Sequence, residues 1–151
     1  MLNKFKSCWA FTLIELLIVM AVIAILVGIA LPRFKGMQDE ANVAKANGEL
    51  RTLKTAIESY VMHNSGTYPV TKTTPCVTYL NGASPLIIDN VLYDPFGATA
   101  TTEYNYICNG SYYVIFSVGP DGTADITGIS AAGVLAGAND DDAYATNGTG
   151  F

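Results

Sequence analysis

The sequence predicts an α+β protein in which one long, kinked N-terminal helix, its first half transmembrane, packs on a small antiparallel β-sheet head. Three observations predict it. Residues Phe11 to Leu31 form a 21-residue run whose only polar members are Thr12 and Glu15. Beyond Pro32, apolar or small residues recur at helical spacing. From Thr67 onward the chain turns rich in glycine, threonine, asparagine and proline, with short β-type runs.

The first ten residues carry Lys4 and Lys6 and no acid, so the positive-inside bias keeps the extreme N-terminus cytoplasmic. At 1.5 Å per residue the apolar run makes about 30 Å of helix, enough to cross the hydrocarbon core of a bilayer. Pro32 removes a backbone donor, and a kink or short break is expected there. The helical pattern then resumes. Val43, Ala46, Leu50, Leu53, Ile57 and Tyr60 step by three and four and draw one stripe, with Lys45–Glu49 and Lys54–Glu58 spaced to pair on other faces. Asn64, Ser65 and Gly66 supply the stop, and Pro69 follows.

β-type runs are expected at Val77–Leu80, Glu103–Ile107 and Ser111–Val118, the last two forming a hairpin with Asn109 and Gly110 at its turn. The sheet is expected to pack on the apolar stripe, because neither could bury its apolar face alone. From Thr123 the chain reads as loop, with one further strand near Ile126. The resulting plan is a segment 1–10, a helix 11–64 of which 11–31 spans the membrane, and a head 65–151 ending in a Gly- and Asp-rich loop.

The formal charge is −5, and without Lys4 and Lys6 six basic side chains remain against thirteen acidic ones, or −7, which disfavours nucleic acid as a partner. Beyond His63 the sole basic residue is Lys72, whereas eight acids follow from Asp89 to Asp142. With a single histidine, no zinc site or Ser-His-Asp set can be drawn around several imidazoles, and no catalytic residue is assigned. His63 reads as a helix-end residue near the last carbonyls. Of three cysteines, Cys8 lies in the basic leader, and Cys76 and Cys108 remain as a pair or as two unpaired thiols. Bridged across 31 intervening residues in an oxidising compartment, they would contribute about 3–4 kcal/mol by constraining the unfolded chain. Tyr104, Tyr106, Tyr112, Tyr113 and Phe116 read as sheet packing. The Asn109-Gly110-Ser111 and Asn147-Gly148-Thr149 triplets fit the glycosylation sequon but carry no weight in Gly-rich loops.

An acid inside a membrane span costs at least a few kcal/mol and is by default partnered. Glu15 stands one turn after Phe11. Cleavage between Ala10 and Phe11 would free an α-amino group placed to neutralise Glu15, in the same chain or in a neighbour offset by one turn. A misregistered neighbour would leave both charges bare.

The string AFTLIELLIVMAVIAILVGIALPRF closely resembles the class III signal of type IV pilins and type II secretion pseudopilins. The resemblance implies a pilin-like fold, a cut by a prepilin peptidase before Phe11, methylation of the Phe11 amine and assembly into a homo-oligomeric helical filament. Ala10 stands where the family prefers glycine, which bears on processing efficiency and leaves the Phe11-to-Glu15 register intact. VAKANGELRTLKTAIESYVMHNSGTYP resembles the second half of the pseudopilin helix, and LYDPFG and YYVIFSVGPDG resemble the sheet of the major pseudopilin. The likeness further implies extraction from the inner membrane by an ATPase-driven platform, with minor pilins as partners. It implies calcium at a C-terminal loop, which directs attention to Asp121, Asp125, Asp140, Asp141 and Asp142, with Asp121 and Asp141 or Asp142 foremost; the bland alternative is an ordinary turn at Asp121 and a solvated acidic run at 140–142.

Two filament readings follow, a periplasmic pseudopilus for protein export and a surface pilus for adhesion, motility or DNA uptake. A third, of another class, is a secreted or membrane-tethered binding protein whose signal peptide is cut near Gly28-Ile29-Ala30.

Overall fold

The computed structural model describes residues 11–69, 80–138 and 140–151. The chain divides into two compact units, Met1–Gln38 and Asp39–Phe151. One helix, α1 (Leu13–His63), contributes residues to both.

Within the first unit α1 holds an 18-residue stretch of mean hydropathy 3.0, none of it buried among the described residues. The helix passes through Pro32 without interruption, so the expected short break is absent. One lost hydrogen bond does not stop propagation when the residues on either side each supply their own.

The second unit is built on the remainder of α1. The stripe read from the sequence lies where it was expected: Ala46, Leu50, Leu53 and Ile57 are buried, joined by Ala56, with Tyr60 packed against the cluster. Lys45 and Glu49 pair at 3.8 Å. Lys54 and Glu58 do not pair with each other, because the sheet offers each a better partner. Lys54 Nζ donates to Thr146 O at 2.7 Å, and Glu58 Oε1 accepts the Tyr113 hydroxyl at 2.9 Å. The helix ends with Ser65 (φ 56°) and Gly66 (φ 78°) in the left-handed region, and Gly66 N–H donates to Val61 O at 3.0 Å. His63 Nδ1 sits 2.8 Å from Ser59 O, in the last turn.

The head sheet has the order β1-β2-β5, with β1 Asn105–Cys108, β2 Tyr113–Phe116 and β5 Tyr144–Thr146, all antiparallel. Asn109 turns the β1–β2 hairpin: its Oδ1 accepts from Ser111 N at 3.0 Å and Tyr112 N at 2.8 Å, and Gly110 takes φ 98°. A second hairpin, β3 (Ile126–Ile129) with β4 (Leu135–Gly137), forms a separate two-stranded sheet.

Every residue of β2 is buried. Its alternation explains why: Tyr113 and Ile115 join Leu50, Leu53, Ile57 and Leu80 in one core, whereas Val114 and Phe116 join Ile126 and Leu135 in a second. The strand expected near Ile126 is β3, and the rest of the C-terminal region is part of a second layer, not the loop the sequence suggested. The two strands that were not expected, β4 (Leu-Ala-Gly) and β5 (Tyr-Ala-Thr), are too short for a local signal, and the layer forms because β2 supplies a partner edge and an apolar face. Leu80 lies in a helical turn where a strand end was expected, and residues 77–79 of that strand fall outside the described residues.

Candidate functional site

Two places in the molecule concentrate chemistry, one in each unit.

In the second unit the acids of the C-terminal layer converge. Gly119 to Gly122 close a turn, with Gly122 N–H donating to Gly119 O at 3.1 Å. Asp121 Oδ1 accepts from Thr123 N at 2.7 Å, and Asp121 N–H donates to Asp141 Oδ2 at 3.0 Å, which joins two loops twenty residues apart. Asp121, Asp125 and Asp141 each place one carboxylate oxygen within 4.8 Å of the others. Asp142 Oδ2 caps the start of β3 by accepting from Asp125 N at 2.8 Å and Ile126 N at 3.1 Å. Asp140 is exposed and adds no oxygen to the trio, and neither does Asp142.

Asp94 fixes one approach to this cluster. It is buried, and its Oδ1 accepts from Phe96 N at 3.0 Å and Ser117 Oγ at 2.7 Å, while Oδ2 accepts from Val118 N at 3.0 Å. Ser117 N–H donates to Ala143 O at 2.9 Å, so both acid-bearing arms leave one clamp. Sequence reading quoted Asp94 only within the LYDPFG likeness; the available signal was an Asp-Pro pair, a turn former whose carboxylate bonds the backbone two residues on. Gly119 has φ 67°, and a Cβ there would stand 2.8 Å from both the side chain and the backbone oxygen of Asp141. Only glycine lets the two loops approach this closely.

The electrostatics favour a cation. Loss of solvation raises the Asp125 carboxyl above its ordinary 3.8, and the neighbouring Asp142, Asp121, Asp140 and Asp141 add to the rise. Asp142 is also raised, by burial first; the Ile126 and Asp125 amides oppose the shift, and Asp141 and Asp121 reinforce it. Asp125 Oδ2, Asp141 Oδ1 and Asp142 Oδ1 are buried with no hydrogen-bond partner among the described residues. Buried carboxylate oxygens are costly when unpaired. A set of hard oxygens of this kind could hold a metal ion, so the residues present fit that role.

In the first unit Phe11 is exposed and precedes the helix, and Glu15 lies in the first turn. Glu15 Oε2 accepts from Thr12 Oγ1 at 3.1 Å and Thr12 N at 3.3 Å, and Glu15 N–H donates to Thr12 Oγ1 at 3.2 Å. Sequence reading missed Thr12, although Thr-x-x-Glu before an apolar run is the signature of a capping box. Ala10 and Cys76 lie outside the described residues, and Cys108 is half-buried at the end of β1.

Comparison with known proteins joins the two regions. Residues 10–31 match the prokaryotic N-terminal methylation motif, and residues 33–132 match the family described as type II secretion system (T2SS), protein G. The chain belongs to the type II secretion protein G family.

That family is the major pseudopilin to which LYDPFG and YYVIFSVGPDG pointed, and both segments fall inside the matched residues. The type II secretion system core protein G of Dickeya chrysanthemi is 30% identical over 127 residues, 76% of this chain and 79% of that protein. Its counterpart from Pectobacterium carotovorum subsp. carotovorum is 29% identical over 123 residues, 74% and 76%. A fimbrial protein of Pseudomonas aeruginosa reaches 44% identity but over only 57 residues, 38% of this chain and 37% of that one. No solved structure matches the chain. Residues 140–142, the second arm of the acidic site, lie beyond the family match, so the cluster rests on this chain's own geometry.

Proposed function

We propose that this chain is the repeating structural subunit of a periplasmic pseudopilus that moves folded proteins outward. The observation that carries the reading is the extent of the likeness: protein G relatives align over three-quarters of the chain, whereas the fimbrial match covers 38%. The head, where a surface pilin and a pseudopilin differ, thus sides with the pseudopilin.

In this reading the precursor sits in the inner membrane through residues 11–31 with its N-terminus cytoplasmic. A prepilin peptidase cuts between Ala10 and Phe11, and the Phe11 amine is methylated. An assembly ATPase, platform proteins and minor pilins then raise the subunit into a helical filament of copies of itself. The exposed apolar stretch of α1 supports such assembly, since none of it is buried among the described residues. Glu15 is the assembly key, its carboxylate neutralised by the freed amine of Phe11 in the same chain or an adjacent subunit.

Asp121, Asp125 and Asp141 would hold calcium, with Asp142 and Asp140 beside them. The ion would supply positive charge where carboxylates crowd and tie the 119–125 loop to the 140–142 segment. No residue is assigned a catalytic role, and Cys76 and Cys108 are proposed as the bridged pair.

N-terminal sequencing of the protein recovered from membranes tests the reading. A methylated Phe11 start is expected; a start at Leu31 would replace the filament subunit with an ordinary secreted protein.

A further inference from the structure

One face of α1 crosses the end of the apolar run. Leu26, Ile29, Ala30, Arg33, Phe34 and Met37 recur at helical spacing and line a groove of about 370 Å³ along the helix side. Ala30, the smallest of the six, leaves space between larger neighbours. The two ends of the groove differ in character. Leu26, Ile29 and Ala30 belong to the run that ends at Leu31, whereas Arg33 stands just past it, about 3 Å further along the axis. In a bilayer the apolar end therefore lies among acyl chains and the guanidinium reaches the depth of headgroup phosphates.

Arg33 has no ion-pair partner among the described residues, and its neighbours one turn away, Ile29, Ala30, Gly36 and Met37, include no acid. Its paired donors suit a phosphate. Lys35 provides a built-in comparison: it lies about 200° further around the helix and is not among the residues that line the groove.

We infer that this face binds a phospholipid with an anionic headgroup, its phosphate on Arg33 and an acyl chain over Ala30 between Leu26, Ile29 and Phe34. The inference rests on the reading that residues 11–31 span the inner membrane, and adds a lipid that holds the far end of the span at headgroup depth. A zwitterionic lipid brings its own cation beside the phosphate, so a lone arginine favours the anionic kind. A second copy of α1 laid here in the same register would bring Arg33 against Arg33, so charge favours the lipid over another helix.

The test uses the full-length chain, inserted into vesicles of phosphatidylcholine alone or of equimolar phosphatidylcholine and phosphatidylglycerol. The vesicles are floated, the chain is extracted in mild detergent, and its retained lipid is weighed by native mass spectrometry. Phosphatidylglycerol should be retained in preference to phosphatidylcholine. Its retention should fall at least about tenfold in Arg33→Gln, which loses the charge, and in Ala30→Phe, whose ring fills the groove, and stay unchanged in Lys35→Gln.

Equal loss in Lys35→Gln and Arg33→Gln would reduce the effect to diffuse attraction between charges and overturn the site, as would undiminished retention in Ala30→Phe. Displacement by inorganic phosphate at the lipid's own concentration would leave an anion site without a lipid, and overturns the inference too. So would dimers of the chain that replace the lipid-bound species and vanish in Ala30→Phe, since a second copy then fills the groove. Flotation separates the two levels: a chain that floats with neither vesicle removes the membrane span itself, whereas one that floats with both and keeps no phosphatidylglycerol removes the lipid site alone.

Discussion

The two halves of α1 obey opposite rules. Residues 39–63 present one narrow stripe, Ala46 to Ile57, and the head buries it. In residues 13–37 apolar side chains point in every direction and stay exposed, from Leu13 at 85% to Val19 at 47%. A stripe is solved within one chain, because a sheet can cover one face. An apolar cylinder is solved only by lipid or by other helices around it. The same secondary structure therefore serves stability in one half and assembly in the other, and a substitution should read out differently in each.

Glu15→Ala should give the largest effect, loss of filaments by orders of magnitude, while the thermal midpoint of the detergent-solubilised subunit stays within a degree. If the midpoint falls as well, the division between the halves is wrong. Leu53→Ala should do the reverse. It empties a fully buried site in the head core, and a loss of about 2–5 kcal/mol is expected in denaturant unfolding, with membrane insertion unchanged.

Gly119→Ala sharpens the comparison inside the head. The added methyl meets Asp141 in a left-handed backbone, so about 1–3 kcal/mol should be lost, together with any calcium-dependent rise in midpoint. Unchanged calcium response in this variant would separate the ion from the 119–141 contact.

The smallest effect is a pH dependence. Asp125 and Asp142 have folded values raised above 3.8, so between the unfolded and folded values the native state binds more protons than the unfolded one. Without calcium, stability should fall as pH rises from about 4 through the raised values, by an amount that Asp125→Asn reduces. With calcium bound that slope should flatten, and the thermal midpoint measured across pH with and without the ion checks both statements.

Much of this was legible in local sequence. The apolar run, the stripe, the stop at Asn64–Gly66 and the Asn109–Gly110 hairpin are each encoded within a few turns of chain. The partners of Lys54 and Glu58 were not, because Thr146 and Tyr113 lie far along the sequence and spacing alone cannot weigh them against a neighbour four residues away. Among the acids of the candidate metal site, Asp121 and Asp141 or Asp142 stood foremost in the sequence, but that Asp125 joins the trio and Asp142 does not depends on where the backbone aims each carboxylate.

By itself, then, the sequence determined that this protein has a membrane-length helix with an acid one turn inside it and an amphipathic continuation carrying a β-rich head. Those features depend on periodicity and composition, which act over a few residues. Only the tertiary structure decided that the tail is a second layer over β2 and that Asp121, Asp125 and Asp141 share one point. Both outcomes require segments well separated in the sequence to meet, and that meeting is fixed by packing on both faces of one buried strand.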